Sequence, residues 1–210
     1  ALDSWVPSKN GKLLAYSIQD GGSDWRIIRV LDVKTGKPLA DEIKWAKFTN
    51  IAWVGNEGFL YSRFAEPQEG AAFQQLNYNQ TVYYHKIGTP QSEDQVVYAT
   101  PDRKELGHSA QVTHDGKWVL ITSSAGTDEK YEVHIIPLRK GKTSKWEART
   151  LVAGLEHEWN LVDGVGNKLW FVTNKDAPKL KVVTVDVGFP TPVFTDVVGE
   201  REEPLSRAQF

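Results

Sequence analysis

One pattern recurs four times along these 210 residues: an apolar strand, a glycine-containing turn, a strongly apolar strand, a polar loop and a third strand. The strongly apolar strands begin at Leu13, Phe59, Trp118 and Leu169. Their spacing of roughly 45–60 residues suits the blades of a β-propeller, which are about 40–50 residues long and accept loop insertions. The repeat therefore predicts an all-β chain, a β-propeller built of four-stranded antiparallel blades.

The turns before these strands contain the residues that tight hairpins require. Asn10-Gly11 and Asp115-Gly116 supply the positive φ of such turns. Third strands are predicted at Ile27–Asp32, Val82–Lys86, Glu132–Pro137 and Lys181–Val187, and outer strands at Gln95–Thr100, Arg149–Ala153 and Pro192–Val198. No segment has sustained apolar periodicity of 3.6 residues, so little helix is expected.

The repeats divide the chain into blades at about residues 1–45, 46–105, 106–155 and 156–199 of a single domain, 1–210. Residues 200–210 are predicted to start a further blade. Because only four blades are recognised in the sequence and the chain lacks an initiator methionine, we expect both ends to be cuts in a longer polypeptide.

The composition excludes several classes of protein. The 27 acidic and 25 basic residues nearly cancel, which argues against a nucleic-acid or anionic-membrane partner. No apolar run approaches the roughly 18 residues that span a bilayer. The absence of cysteine excludes disulfides and thiolate metal sites but leaves the compartment, cytoplasmic or periplasmic, open. The basic cluster Arg139-Lys140-Gly141-Lys142 is predicted to be a solvated hairpin loop.

Several runs are more specific than the propeller rhythm, and they resemble the propeller of the prolyl oligopeptidase family (serine peptidase family S9). The first blade carries Gly22-Ser23-Asp24-Trp25 before its third strand. The other runs are Asn10–Lys12, Leu14–Ser17, Lys47–Trp53, Gln80–Thr89, Gln91–Asp94, Ser123–Asp128 and Thr173–Pro178.

The resemblance implies a fold and an activity for a parent protein. Members pair a seven-bladed propeller with an α/β-hydrolase domain, which cleaves short proline-containing peptides after proline, using Ser, Asp and His. The propeller restricts access to oligopeptides. This chain would be about four of seven blades, with the catalytic domain and proline-containing oligopeptides as its partners. A Gly-x-Ser-x-Gly nucleophile elbow is missing from the sequence, so we expect this gating segment to be non-catalytic, with no cofactor.

The resemblance also implies three substrate-binding residues. Phe48 corresponds to an apolar wall beside the bound peptide, although it could instead pack between blades. Ser124 falls where the family has a charged residue that contacts the peptide backbone, and Thr127 falls at a small residue nearby. Because Ser124 is not a cation, an ionic contact is not expected here. Asp24 and Trp25 are expected to fix their loop and fill the blade interface.

Other functions remain open on sequence alone. A stand-alone propeller that binds peptides or proteins is the main alternative, and a propeller enzyme using carboxylates around its channel is a weaker one. A triad of Ser109, His114 and Asp115 is conceivable from proximity. The five histidines have no spacing diagnostic of zinc, so no metal site is predicted.

Overall fold

The computed structural model of the chain describes residues 1–19, 21, 23–67, 76–139 and 145–209. Gly22 of the first-blade run and Lys140, Gly141 and Lys142 of the basic cluster lie outside these residues. In the described part, sixteen strands form four successive four-stranded antiparallel units, which we call blades I to IV. Helix is limited there to two 3₁₀ turns, Gln91–Glu93 and Pro101–Arg103.

The strands follow one another through the four blades. Blade I contains β1 (Leu2–Pro7), β2 (Leu13–Gln19), β3 (Arg26–Asp32) and β4 (Pro38–Ala46). Blade II contains β5 (Ala52–Val54), β6 (Gly58–Arg63), β7 (Thr81–Lys86) and β8 (Gln95–Tyr98). Blade III contains β9 (Leu106–Val112), β10 (Trp118–Ala125), β11 (Glu132–Pro137) and β12 (Arg149–Val152). Blade IV contains β13 (Trp159–Val165), β14 (Lys168–Thr173), β15 (Lys181–Asp186) and β16 (Phe194–Val198).

Consecutive strands pair in antiparallel register within each blade. A single residue pair, Ala46 with Arg63, joins β4 to β6, so blades I and II share one sheet. The prediction of an all-β chain of four-stranded antiparallel blades is confirmed. In the described residues 199–209 no strand forms, and the amide of Leu205 donates to the carbonyl of Lys179.

Local sequence explains the turn before the second strand of blade III. Gly116 has a φ of 69°, which glycine adopts without a Cβ penalty. The Asp115 carboxylate accepts hydrogen bonds from Thr113 Oγ1 and from the Lys117 amide, as Asp does in turns. This turn delivers the chain into β10, whose buried apolar residues then pack against both neighbouring blades.

The hydrophobic core lies in layers between adjacent blades. Trp53, Phe59 and Tyr61 belong to the layer between blades I and II. Leu60 and Val119 belong to the layer between blades II and III. The layer between blades III and IV contains Leu120, Trp159, Leu169 and Phe171. Alternating residues of one strand, such as Phe59 and Leu60 of β6, thus enter different layers, as the period of two in a strand requires.

A buried polar cluster adds to the layer between blades I and II. The His85 imidazole of β7 lies between two carboxylates, with Nε2 2.9 Å from Asp41 Oδ1 and Nδ1 2.7 Å from Asp94 Oδ1. Tyr61 donates from its hydroxyl to the other oxygen of Asp94 at 2.6 Å. Burial by itself lowers the pKa of His85, but the hydrogen bonds and charges of Asp94 and Asp41 outweigh it and raise the pKa. Asp41 comes from β4, so this cluster fastens blade I to blade II.

Candidate functional site

One cleft of about 900 Å³ is lined by residues of all four blades and of the segments between them. Its volume is within the range of about 300–1,000 Å³ that is usual for ligand sites. The residues that line it include Asp3, Arg26, Phe48, Gln80, Gly107, His108, Ser124, Thr127, Trp159 and Leu161. The surface is therefore assembled across blade boundaries.

The three residues predicted to bind substrate all line this cleft. Phe48 lies in the segment between β4 and β5, Ser124 lies near the end of β10, and Thr127 follows in the next loop. The Phe48 side chain is 59% exposed, so it does not pack between blades. The contact of these residues with a peptide stays a prediction.

The backbone holds Phe48 in an unusual conformation. Its φ is 51°, a left-handed value that is uncommon for a residue other than glycine. Its ring lies 5.0 Å from the Nζ of Lys47, which is also 5.1 Å from the Trp25 ring and 3.8 Å from an Asp24 carboxylate oxygen. On the next residue, Thr49 Oγ1 accepts a hydrogen bond of 2.7 Å from the Ser62 amide. Cation–π and hydrogen-bond contacts therefore present the Phe48 ring to the cleft.

Asp24 and Trp25 have packing and loop-fixing contacts. The Trp25 ring meets Trp45 edge-on at 5.7 Å and Phe64 edge-on at 6.3 Å. The carbonyl of Asp24 accepts a bond of 2.6 Å from the Arg26 guanidinium. Asp24 and Trp25 are thereby fixed in place, and both contact Lys47, whose Nζ lies over the Phe48 ring.

Gln80 is a cleft residue that sequence reasoning missed. Its side chain is 3% exposed and donates from Nε2 to the carbonyls of Lys47 and Phe48, at 2.8 and 3.1 Å. Its Oε1 accepts from the amide of His108 at 2.6 Å. Gln80 falls inside the family-like run Gln80–Thr89, and that membership was its only sequence signal.

His108 lines the cleft but is almost fully buried, and its imidazole is hydrogen-bonded to neutral groups. Its Nδ1 lies 2.8 Å from Ser123 Oγ and its Nε2 lies 3.0 Å from Thr100 Oγ1. Burial, with smaller contributions from the nearby His134 and Arg103, lowers the pKa of His108 to about 4. Ser123 does not line the cleft and is fully buried, so its hydroxyl is closed to a substrate.

The charges at the cleft are largely paired. Arg26 Nε lies 3.0 Å from Asp3 Oδ2, and the hydrogen bond from Arg26 lowers the pKa of Asp3 against the opposing effect of burial. Ser124 and Thr127 provide neutral hydroxyls. The arrangement thus offers an apolar wall with neutral hydrogen-bonding groups, which suits the backbone of an extended peptide.

The conceivable triad of Ser109, His114 and Asp115 does not form. Ser109 pairs with Thr122 across β9 and β10. The His114 amide donates to Asp163, 49 residues further along. Asp115 Oδ1 accepts hydrogen bonds from Thr113 and Lys117 within its own turn. Its Oδ2 accepts one from the Gly166 amide at 2.8 Å, which joins blade III to blade IV. The carboxylate is therefore structural.

Leaving residues 20, 22, 68–75, 140–144 and 210 aside, no group of three His, Cys, Asp or Glu side chains is placed to hold a metal ion. In the same described part of the chain, no helix is both long and apolar enough to cross a membrane.

The four-stranded blades and the layers of core between them define a β-propeller, with one cleft assembled across its blades. The profile described as "Prolyl oligopeptidase, N-terminal beta-propeller domain" matches residues 1–209. The chain therefore belongs to the prolyl oligopeptidase family, as the N-terminal β-propeller domain of that family, and the predicted resemblance is confirmed.

Individual relatives agree with the family match. The prolyl endopeptidase of Elizabethkingia miricola is 34% identical over 199 residues, which cover 94% of this chain and 28% of the relative. The dual function macrocyclase-peptidase of Galerina marginata is 30% identical over 213 residues, covering 93% and 28%. The chain thus spans somewhat more than a quarter of the length of these curated relatives.

Solved structures show the same likeness in three dimensions. A structure from a study of two prolyl endopeptidases and their inter-domain dynamics is 50% identical, with a TM-score of 0.93 over 100% of this chain and 29% of its own. Apo prolyl oligopeptidase B from Galerina marginata is 28% identical, with a TM-score of 0.87 over 100% of this chain and 30% of its own.

Proposed function

We propose that this chain is the substrate-gating propeller segment of a prolyl oligopeptidase-like serine endopeptidase that cleaves short peptides after proline. The segment itself is non-catalytic. The observation that carries the proposal is the cleft, in which Phe48, Ser124 and Thr127 come together on a chain of this family. An α/β-hydrolase domain, as the partner, supplies the nucleophile, base and acid.

Each cleft residue has a physical role in this proposal. The exposed Phe48 ring offers an apolar face to a proline or another apolar side chain of the peptide. The hydroxyls of Ser124 and Thr127 hydrogen-bond to the peptide backbone, which is present in every sequence. Because Arg26 is neutralised by Asp3, the cleft does not select for acidic peptides.

Gating has a steric basis. A cleft of about 900 Å³ accommodates an extended peptide segment but not a folded domain. A folded protein has to open locally before its chain enters, and that opening opposes cleavage. Movement of the propeller relative to the catalytic domain would then control turnover, as lid motions do in many enzymes.

A hybrid enzyme tests this function. In the Elizabethkingia miricola prolyl endopeptidase, the matched stretch is replaced by this chain, and kcat/KM is measured with a chromogenic Gly-Pro peptide. We expect cleavage after proline, and we expect Phe48→Ala to lower kcat/KM by about tenfold through loss of apolar contact. A folded proline-containing protein should remain uncut.

Phe189→Ala is the matched control, because Phe189 is 62% exposed and does not line the cleft. It should leave kcat/KM within about twofold of the unmodified hybrid. Equal kcat/KM for Phe48→Ala and Phe189→Ala would contradict a peptide contact at Phe48. Tight binding of a folded protein to the isolated chain would instead favour a stand-alone interaction module.

A further inference from the structure

We infer that Gln80 is a positioning residue, whose buried amide sets the place of Phe48 relative to the blade III side of the cleft. The inference rests on the proposed function, because it assigns Gln80 a part in peptide binding through Phe48. Gln80 lies just before β7, and its side chain joins the loop of Phe48 to strand β9.

The first side of the bridge is the backbone around Phe48. Gln80 Nε2 donates to two successive carbonyls, those of Lys47 and Phe48. Both carbonyls flank the left-handed turn at Phe48, where φ is 51°. A residue in this region persists only when its surroundings fix it, and the buried amide supplies two of the fixing contacts.

The second side of the bridge is strand β9. Gln80 Oε1 accepts from the His108 amide at 2.6 Å, and a Cβ on the adjacent Gly107 would lie only 3.2 Å from this oxygen. Glycine at position 107 therefore leaves room for the amide. The imidazole of His108 is in turn held by Ser123, which directly precedes Ser124 of the cleft.

These contacts form one continuous connection from the Phe48 loop through Gln80 and His108 to Ser123. The two ends of the connection adjoin the apolar and the polar parts of the proposed peptide site. Two other contacts also join this loop to β9. Asn50 Nδ2 donates to the carbonyl of Ala110, and Ser62, whose amide donates to Thr49, donates from its hydroxyl to the carbonyl of His108. Of these side chains, only that of Gln80 donates to the carbonyl of Phe48 itself.

The test uses the full 210-residue chain and a fluorescein-labelled octapeptide with a central Gly-Pro. Peptide affinity is measured by anisotropy for wild type, Gln80→Leu, Gln80→Glu, Phe48→Ala and the Phe48→Ala/Gln80→Leu double variant. Gln80→Glu keeps an acceptor for His108 but loses the donor to the two carbonyls. Gln80→Glu therefore provides a second measurement of peptide affinity without the Gln80 donor if Gln80→Leu does not fold.

Gln91→Leu is the matched control. Gln91 also bonds backbone with its amide, accepting from the Lys44 amide and donating to the Lys44 carbonyl, yet it does not line the cleft. It should bind the peptide within about twofold of wild type, whereas both Gln80 variants should bind about tenfold more weakly. The double variant should be no weaker than Phe48→Ala alone, because Gln80 acts through Phe48.

Amide exchange of His108 provides a readout that does not depend on the peptide. Exchange should accelerate at least about tenfold in Gln80→Leu and not in Gln91→Leu, since only the first removes the acceptor. If Phe48→Ala weakens binding but the Gln80 variants do not, or if His108 exchange is unchanged in Gln80→Leu, the positioning role is overturned. If Phe48→Ala binds like wild type while His108 exchange accelerates in Gln80→Leu, the bridge stands and the proposed function fails.

Discussion

Acidification should destabilise the boundary between blades II and III through His108. His108 is 2% exposed, and its two ring nitrogens hydrogen-bond to the hydroxyls of Ser123 and Thr100. In the part of the chain that the structure describes, no carboxylate bonds to it. Thr100 Oγ1 also lies 3.1 Å from the carbonyl of Arg103, so its hydroxyl proton is directed there. The imidazolium form would therefore carry a buried positive charge without a counter-ion in contact.

The magnitude follows from the two pKa values. The folded-state pKa of His108 is about 4, against about 6.5 for histidine in an unfolded chain. Between these values the unfolded chain binds a proton that the folded chain does not, so stability falls as the pH falls. The loss is about 2 kcal/mol between pH 7 and pH 5, approaches about 3 kcal/mol at pH 4, and levels off below the folded-state pKa.

Urea denaturation at pH 7, 6 and 5 measures this loss, because most carboxylates remain ionised over that range. The His108→Gln variant should have a shallower dependence of unfolding free energy on pH than wild type, even if it is less stable at pH 7. The reasoning is refuted if wild type and His108→Gln have the same slope, or if NMR shows the His108 imidazole of the folded chain titrating near pH 6.5.

Three other outcomes are expected. Gly58→Ala should lower the unfolding free energy by about 3 kcal/mol, because the added Cβ would lie 2.2 Å from the His85 carbonyl oxygen. Gly199→Ala is the control, since its Cβ would meet open space, and it should unfold like wild type in thermal denaturation. Wild type should lose stability as the pH rises into the alkaline range, and His85→Gln should not show this loss. The pKa of His85 is raised because its two carboxylate partners outweigh burial, so its contribution is complete below about pH 6.5 and is lost as the pH rises through the folded-state pKa; denaturation at pH 6, 8 and 9.5 would contradict this if both proteins lost stability equally. Asp115→Ala should cost about 2 kcal/mol by leaving the Gly166 amide unbonded, and a change below about 0.5 kcal/mol in urea would argue against the carboxylate as a link between blades III and IV.

The fold could be predicted because its determinants are local. The turn at Asp115-Gly116 needs a positive φ and a short polar side chain, both of which are visible in the sequence. The strand that follows, β10, begins at Trp118, where the apolar run predicted it. Some strand ends differ from the predicted ones because pairing with the neighbouring strand sets them. β16, for example, begins at Phe194 rather than at the predicted Pro192.

The site could be predicted only in part. Phe48, Ser124 and Thr127 were placed by resemblance, and they share one cleft. Gln80 and His108 were not assigned to the site, because their importance comes from contacts between residues 28 and 33 positions apart that no local pattern encodes.

Proximity in sequence was also a poor guide to chemistry. Ser109, His114 and Asp115 lie within seven consecutive positions, but Ser109 is in a strand and the other two are in the turn after it. Asp115 then bonds backbone amides, one of them on the next blade. A strand and its turn point such side chains in different directions, so short spacing does not bring them together.

The most direct test of the account compares the purified 23.6 kDa chain, with its intact mass verified, and the hybrid enzyme on one chromogenic Gly-Pro substrate. We expect the hybrid to release the chromophore after proline and a serine-peptidase inhibitor to block that release, whereas the isolated chain should release none. Cleavage by the 23.6 kDa chain itself, or a folded hybrid with an intact catalytic domain and no activity, would contradict it.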